Sequence, residues 1–311
     1  MDSLAKSFRK IRKMSPWSMI LIFLVVTCLF LYLNGSFTKT AITEGFVQSE
    51  QFVVKRGIDA LDDFYVGLYD DILFSQVKND YEIGEIVNTI KPTSQSVILD
   101  IGSGTGHHAG ALKKMGAKVS GIDLSPAMVK QAKENYPEVD FSIGDATSAM
   151  TFSPATFTDI LCLYFTIYQI KDKSLFLKNA YEWLMPGGTL VLHLVDRSKF
   201  DPIVPAASSL MMVSPQKHAN ERITTSKVIF DTMEYKAAFE DKLDQDVAVF
   251  RESFKNTESG QVRQNEHTLH MPTQQSIINI AKSTGFIMVG VADMTKAGYE
   301  YQFIYFLQKP Q

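Results

Sequence analysis

The sequence predicts an α/β protein, a mostly parallel sheet covered by helices on both faces. Three observations carry this prediction. Short runs rich in β-branched residues, at 97–101, 117–123, 139–143, 157–163 and 189–195, read as buried strands. Helical stretches separate them at the spacing of right-handed crossovers. The first strand runs into a loop with glycine at every second position, Gly102, Gly104 and Gly106, and a helix begins at His107. Such a strand–turn–helix lets a ligand approach the backbone closely and faces it with the free N–H groups of a helix start.

Each element follows in order. Residues 49–90 read as helical, with Phe52, Val53, Ile58, Leu61, Phe64, Tyr65 and Leu68 near helical spacing and a stop at Lys91-Pro92. After the glycine loop, the strand at 117–123 leads to Ser125-Pro126, a serine N-cap with proline in the first turn of the next helix. The third strand ends in Gly144-Asp145. Residues 173–185 form a helix closed by Pro186-Gly-Gly188, and the fifth strand follows. About 75 residues then intervene, too many for a plain loop. Alternating segments at 227–233, 247–254 and 262–271 predict a small antiparallel insert within residues 197–272. A helix at 273–284 stopped by Gly285, then strands at 286–292 and 300–307, complete the chain.

The N-terminus is of a different kind. Residues 1–16 carry five basic side chains against one acidic, and residues 17–33 are an uncharged apolar run bounded by Trp17 and Tyr32. A helix of that length reaches roughly 25 Å, near the short end of a bilayer span. The run is therefore expected to be a single-pass anchor, with 34–48 as linker and 49–311 as the main domain. A cleaved signal peptide is the alternative, although no small-x-small site follows Leu33. The excess of Lys and Arg before the run places the N-terminus in the cytoplasm. Asn34-Gly-Ser36, formally a glycosylation acceptor, lies hard against the membrane.

Composition excludes some functions. A net charge of −3 with scattered basic residues argues against a nucleic-acid partner. Cys28 and Cys162 fall in contexts that do not pair, the histidines lack metal-ligand spacing, and no Gly-x-Ser-x-Gly elbow marks a hydrolase. The loop spacing is Gly-x-Gly-x-Gly, whereas the nicotinamide fingerprint is Gly-x-Gly-x-x-Gly.

Leu99-Asp-Ile-Gly-Ser-Gly-Thr-Gly106, Gly121-Ile-Asp-Leu-Ser-Pro-Ala-Met128, Gly144-Asp-Ala146 and Leu184-Met-Pro-Gly-Gly188, in this order and spacing, resemble the class I S-adenosylmethionine-dependent methyltransferases. Any one motif is weak; the four together are specific. With the strand-rich insert, the chain is loosely similar to amino-sugar and glycine-type N-methyltransferases, whose usual pattern lacks a membrane segment. The resemblance implies a seven-stranded Rossmann-like sheet with its last strand antiparallel, and methyl transfer from S-adenosylmethionine to an N or O atom of a small molecule. It implies that Gly102, Ser103 and Gly104 line the methionine end of the cofactor with their N–H groups, and that Asp100 accepts from its amino group. Asp123 would hold the ribose hydroxyls, Leu124 and Met128 the adenine, and Asp145 and Ala146 the adenine edge, with Leu163 bordering the reacting methyl.

An activated methyl group needs little more than alignment, worth roughly 7–11 kcal/mol at best. A base is needed only to keep an amine neutral or to take a hydroxyl proton. Candidates are His193 and Tyr164 by position, then Tyr168, His108 and, by resemblance to a capping tyrosine, Tyr69; His218, His267 and His270 in the insert could also reach the substrate. Two other classes stand beside this one: a membrane-tethered binding module without turnover, and a nicotinamide oxidoreductase.

Overall fold

The computed structural model describes Trp17, residues 20–27, Gln48 and residues 50–311 apart from 209–214. It falls into two compact units, residues 1–44 and 45–311. In the first, residues 20–27 are helical and their apolar side chains at 20–26 are exposed. Among the described residues no helix is long and apolar enough to cross a membrane. The rest of the 17–33 run, the basic leader and all of the 34–48 linker but Gln48 lie outside the described residues.

The second unit opens with strand β1 (Phe52–Arg56) and helices α1 (Asp63–Leu73) and α2 (Gln76–Ile90). Both helices start on side-chain caps: the Asp62 carboxylate accepts from the Tyr65 N–H, and Ser75 from that of Lys78. The alternating pattern follows as β2 (Val97–Ile101), α3 (His107–Lys114), β3 (Lys118–Asp123), α4 (Pro126–Asn135), β4 (Asp140–Ile143) and β5 (Phe157–Cys162). A short turn α5 (Thr166–Gln169), helix α6 (Lys173–Trp183) and the long β6 (Leu184–Val195) come next. After the brief α7 (Pro205–Ser208) run β7 (Thr225–Ile229), β8 (Met233–Lys242), β9 (Val247–Asn256) and β10 (Val262–His270). Helix α8 (Gln274–Thr284) and strands β11 (Ile287–Asp293) and β12 (Gln302–Gln308) finish the chain.

Seven strands form the main sheet in the order β11-β12-β6-β5-β2-β3-β4, with β12 antiparallel to both neighbours. The period-two alternation of the strands divides the core. Leu99, Ile160, Leu190 and Leu192 pack with Phe176, Trp183 and Ile277 from α6 and α8. Ile98, Leu161 and Val191 pack on the other face with Ile86, Leu112 and Val129 from α2, α3 and α4. The strand order reverses at β2, which lies between β5 and β3, so a crevice opens there above the C-terminal ends of the strands.

Three expectations need correction. Residues 52–56, read as helical, are strand β1, which pairs parallel to β10 about 210 residues away. Partners that distant leave no local periodicity to read. The segment at 227–233 divides into β7 and the start of β8, and β8 runs on through Tyr235, Ala237 and Phe239, a buried period-two row. The insert sheet therefore has five strands, in the order β1-β10-β9-β8-β7. Pro186-Gly-Gly188 does not separate helix from strand either, since α6 stops at Trp183 and β6 begins at Leu184.

Candidate active site

A cavity of about 520 Å³ lies over the C-terminal ends of β2 and β3, roofed by α1 and the insert sheet. Its floor is the glycine loop. Gly102 has φ +66°, and a Cβ there would sit 2.4 Å from Thr166 Cγ2, so glycine is required on both backbone and steric grounds. Gly104, at φ +52°, meets nothing nearer than the Tyr69 ring at 4.0 Å, which leaves open space above its backbone. The loop N–H groups are spent inside the protein: Gly102 and Ser103 donate to the Ile122 carbonyl and Gly104 to Asp123 Oδ2. They are therefore not free for a ligand carboxylate, contrary to expectation. Ser103 Oγ, buried and without a partner, is the polar atom left over.

Helix α1 clamps this floor. Asp70 accepts from Thr105 Oγ1 at 2.7 Å and lies 3.0 Å from His107 Nε2. The other His107 nitrogen meets the Tyr136 hydroxyl at 2.7 Å, and Phe74 stacks on its ring at 3.8 Å. This clamp holds Tyr69 over Gly104. Burial first, then Asp123 and Asp70, push the Tyr69 hydroxyl well above the normal tyrosine range, so it stays a neutral phenol.

The acidic residues sit at two depths. Asp100 is 2% exposed, and burial lifts its carboxyl to about 6, against the nearby His108. Asp123 Oδ1 accepts from the Ser125 N–H at 2.9 Å. With Oδ2 on Gly104 and the Leu124 N–H also directed at this carboxylate, three of about four lone-pair directions are used and one remains for a hydroxyl donor. Ser125 caps α4 and also donates to the Leu61 carbonyl at 2.6 Å, tying the segment at 57–61 to the end of β3. Leu124 is 54% exposed in the cavity wall, an apolar surface open to a flat ring, while Met128 is buried behind it. Asp145 is exposed and its Oδ1 accepts from the N–H and hydroxyl of Thr147, an Asx-turn; Ala146 beside it is buried, and both line the cavity.

Of the five expected catalytic side chains, Tyr69, His108 and Tyr164 line the cavity with Leu163, and Tyr168 and His193 do not. The Tyr168 hydroxyl accepts from the Val195 N–H at 2.8 Å, closing the end of β6. His193 points to the α2 face, as Val191 does. Its Nδ1 lies 2.7 Å from the Tyr164 carbonyl, and burial pulls its pKa down to about 4. His193 misses the cavity through the alternation of β6, and Tyr168 through the turn α5 that buries it against the end of β6; sequence position reveals neither. Tyr164 has φ +49°, and its buried hydroxyl has no partner. Burial holds it, like Tyr69, in the neutral form.

Sequence reasoning missed Lys78. Its ammonium, 3% exposed, meets Glu82 Oε1 at 2.9 Å and lies 3.5 Å above the Tyr164 ring. Glu82 Oε2 reaches His108 Nε2 at 2.8 Å. Burial alone would raise Glu82, but Lys78 and then His108 bring it down to about 2. The i,i+4 spacing of Lys78 and Glu82 was legible, though nothing local says that the pair is buried. Among the described residues no group of three or more metal-ligating side chains could hold a metal ion.

Residues 98–188 match the family described as a methyltransferase domain. A ubiquinone biosynthesis O-methyltransferase from Xanthomonas campestris pv. campestris is 29% identical over 123 residues, covering 38% of this chain and 48% of the relative. A dTDP-4-amino-2,3,4,6-tetradeoxy-D-glucose N,N-dimethyltransferase from Saccharopolyspora spinosa is 36% identical over 115 residues, covering 36% of this chain and 45% of the relative. The chain thus spans about half the length of the curated relatives it matches. Among solved structures, the CcbJ methyltransferase of Streptomyces caelestis aligns at TM-score 0.61 and 17% identity, over 81% of this chain and 98% of that one. An amino pentose methyltransferase from Micromonospora echinaspora, solved with S-adenosylmethionine bound, aligns at 0.53 and 18% identity over 78% and 95%. Residues 98–188 thus match a methyltransferase domain, and the fold over most of the chain is that of the solved methyltransferases. The residues present fit S-adenosylmethionine: open space over Gly104, an unpartnered buried Ser103 hydroxyl, a spare acceptor direction on Asp123 and the exposed apolar face of Leu124.

Proposed function

We propose that the protein transfers a methyl group from S-adenosylmethionine to an N or O atom of a small molecule. The observation that carries this reading is the pairing of the open glycine floor at Gly104 with Asp100 and Asp123 in one cavity. When bound, the cofactor supplies a methyl group already activated on a sulfonium. Asp100 receives the cofactor's ammonium, Asp123 accepts from a ribose hydroxyl, and Leu124 and Met128 cover the adenine. The Ala146 N–H and the second oxygen of Asp145 meet the adenine edge. Tyr69 and Tyr164, kept as neutral phenols, orient and exclude water rather than act as bases; His108 is held by Glu82. The cavity volume falls within the range of roughly 300–1,000 Å³ used for small ligands. Relatives named for O-methylation and for N-methylation support a small acceptor of either kind. The test is calorimetric titration with S-adenosylmethionine, followed by labelled methyl transfer into a panel of hydroxyl and amine acceptors. Binding without transfer to any acceptor would favour a binding module.

We also infer that residues 17–33 anchor the chain to a membrane once, with the N-terminus in the cytoplasm. The uncharged run and its basic leader support this. Recovery of the full chain in carbonate-washed membranes, and protease protection of its C-terminal domain in sealed membranes, would agree with that reading. Full release by carbonate would sink the anchor, and digestion from the cytoplasmic side would reverse the orientation.

A further inference from the structure

A second buried cluster lies where the insert sheet meets the cavity. Phe239, Phe250 and His267 are paired across β8, β9 and β10, so they share one face of the sheet, and all three line the cavity. Glu252, two residues along β9 from Phe250, lies on the same face and is completely buried. Its Oε1 accepts from the Tyr235 hydroxyl at 2.8 Å, and its Oε2 lies 3.0 Å from His267 Nε2. His267 is its one ion-pair partner among the described residues.

This arrangement fixes which imidazole nitrogen is free. A carboxylate only accepts, so Nε2 holds the proton, and in the neutral ring Nδ1 keeps a lone pair. Nδ1 makes no hydrogen bond among the described residues, yet it is not sealed in the core, because the ring borders the cavity. Tyr65 and Phe250 pack with the ring at centroid distances of 5.7 and 6.3 Å and limit its rotation. The ionisable groups around it are Glu252 from β9, Tyr235 from β8 and Tyr65 from α1, with Tyr69 one turn further. A carboxylate this deep is costly unless it has a partner that can carry positive charge, and an imidazole that gains a proton is such a partner.

We propose that His267, oriented by Glu252, is the general base that takes the acceptor's proton, and that the acceptor is a phenol-type hydroxyl on a flat apolar body. The proposal rests on the methyl-transfer reading. The acceptor's O–H bond breaks and its proton passes to His267 Nδ1. The electron pair left on the oxygen forms the new O–C bond as the methyl's C–S bond breaks, that bond's electrons staying on the sulfur of the departing S-adenosylhomocysteine. The imidazolium so formed faces Glu252 and returns its proton to solvent when the product leaves. Phe239, Phe250 and Leu269 supply the apolar walls for the acceptor body.

The test uses the full chain labelled with ¹⁵N-histidine, the His267 signals being assigned by their loss in His267→Gln. Two-bond proton–nitrogen spectra should show His267 protonated at Nε2 and bare at Nδ1. In Glu252→Gln the amide can accept from or donate to Nε2, so a mixture of tautomers is expected. With catechol as the acceptor probe, His267→Gln should lose about 10²- to 10⁴-fold of the labelled methyl transfer while binding S-adenosylmethionine as the unaltered chain does. A bare Nε2 in the unaltered chain, or a His267→Gln variant that keeps most of its transfer, would overturn the base assignment. Transfer to an amine probe but not to catechol would overturn the phenol class. Failure of the unaltered chain to bind S-adenosylmethionine would instead strike the methyl-transfer reading and leave the tautomer result standing.

Discussion

Asp100 occupies the end of the central strand with its carboxyl almost wholly shielded, and that burial has two opposite consequences. Its folded value, about 6, lies above the ordinary 3.8. The fold therefore prefers the protonated form: this contribution to stability is full below 3.8 and lost as the pH rises through 6. A cationic ligand group reverses the preference by stabilising the carboxylate. Affinity for S-adenosylmethionine, measured by calorimetry, should therefore fall about tenfold per pH unit below 6, and Asp100→Asn should bind weakly with a flat profile. The glycines separate two further effects. Gly102→Ala forces a Cβ against Thr166 at positive φ and should cost roughly 1–3 kcal/mol in urea unfolding. Gly104→Ala places a methyl in open space, so it should cost less stability and lose more affinity. Asp100, Asp123 and the glycines were legible because their geometry is set within a few residues of the ends of β2 and β3. Tyr168 and His193 were not: which way His193 faces on β6 depends on the register of the whole sheet, and Tyr168 sits on the short turn α5, whose packing no local pattern gives.

Helix α2 shows what an element adds beyond its own sequence. Its Lys78–Glu82 ion pair, with the His108 that Glu82 holds, forms a buried polar seam between the sheet and the cavity wall. Glu82→Ala would leave Lys78 uncompensated and should lower stability by about 3–5 kcal/mol, read by urea denaturation. Glu82 has a folded value of about 2, below the ordinary 4.5. Its contribution is therefore present above 4.5 and lost as the pH falls towards 2, a sign opposite to that of Asp100. The insert is held by a comparable device. Arg263 on β10 donates to Asp62 and to the Ala60 carbonyl, pinning the start of α1 to the insert sheet. The antiparallel strands of the insert could be read from alternation in the sequence. Strand β1 could not, because Phe52-Val-Val-Lys-Arg56 becomes a strand only by lying beside β10.

At the scale of the molecule, residues 45–311 form a compact unit that contains the whole candidate site. A chain beginning at residue 45 should therefore fold and bind S-adenosylmethionine like the full one, by circular dichroism and calorimetry, while losing any membrane association. The alternation of strands and helices made the parallel sheet legible, and four motifs in order made the cofactor legible. The roof was not, because Tyr65, Lys78 and Phe250 reach the cavity from segments separated by up to 185 residues and carry no motif. The central claim is that the glycine floor with Asp100 and Asp123 is an S-adenosylmethionine site. Its most direct test is parallel calorimetric titration of the full chain with S-adenosylmethionine and with NAD. Saturable binding of S-adenosylmethionine, abolished by Asp123→Ala, with no heat from NAD, is the expected result. Saturable NAD binding with no response to S-adenosylmethionine would contradict it.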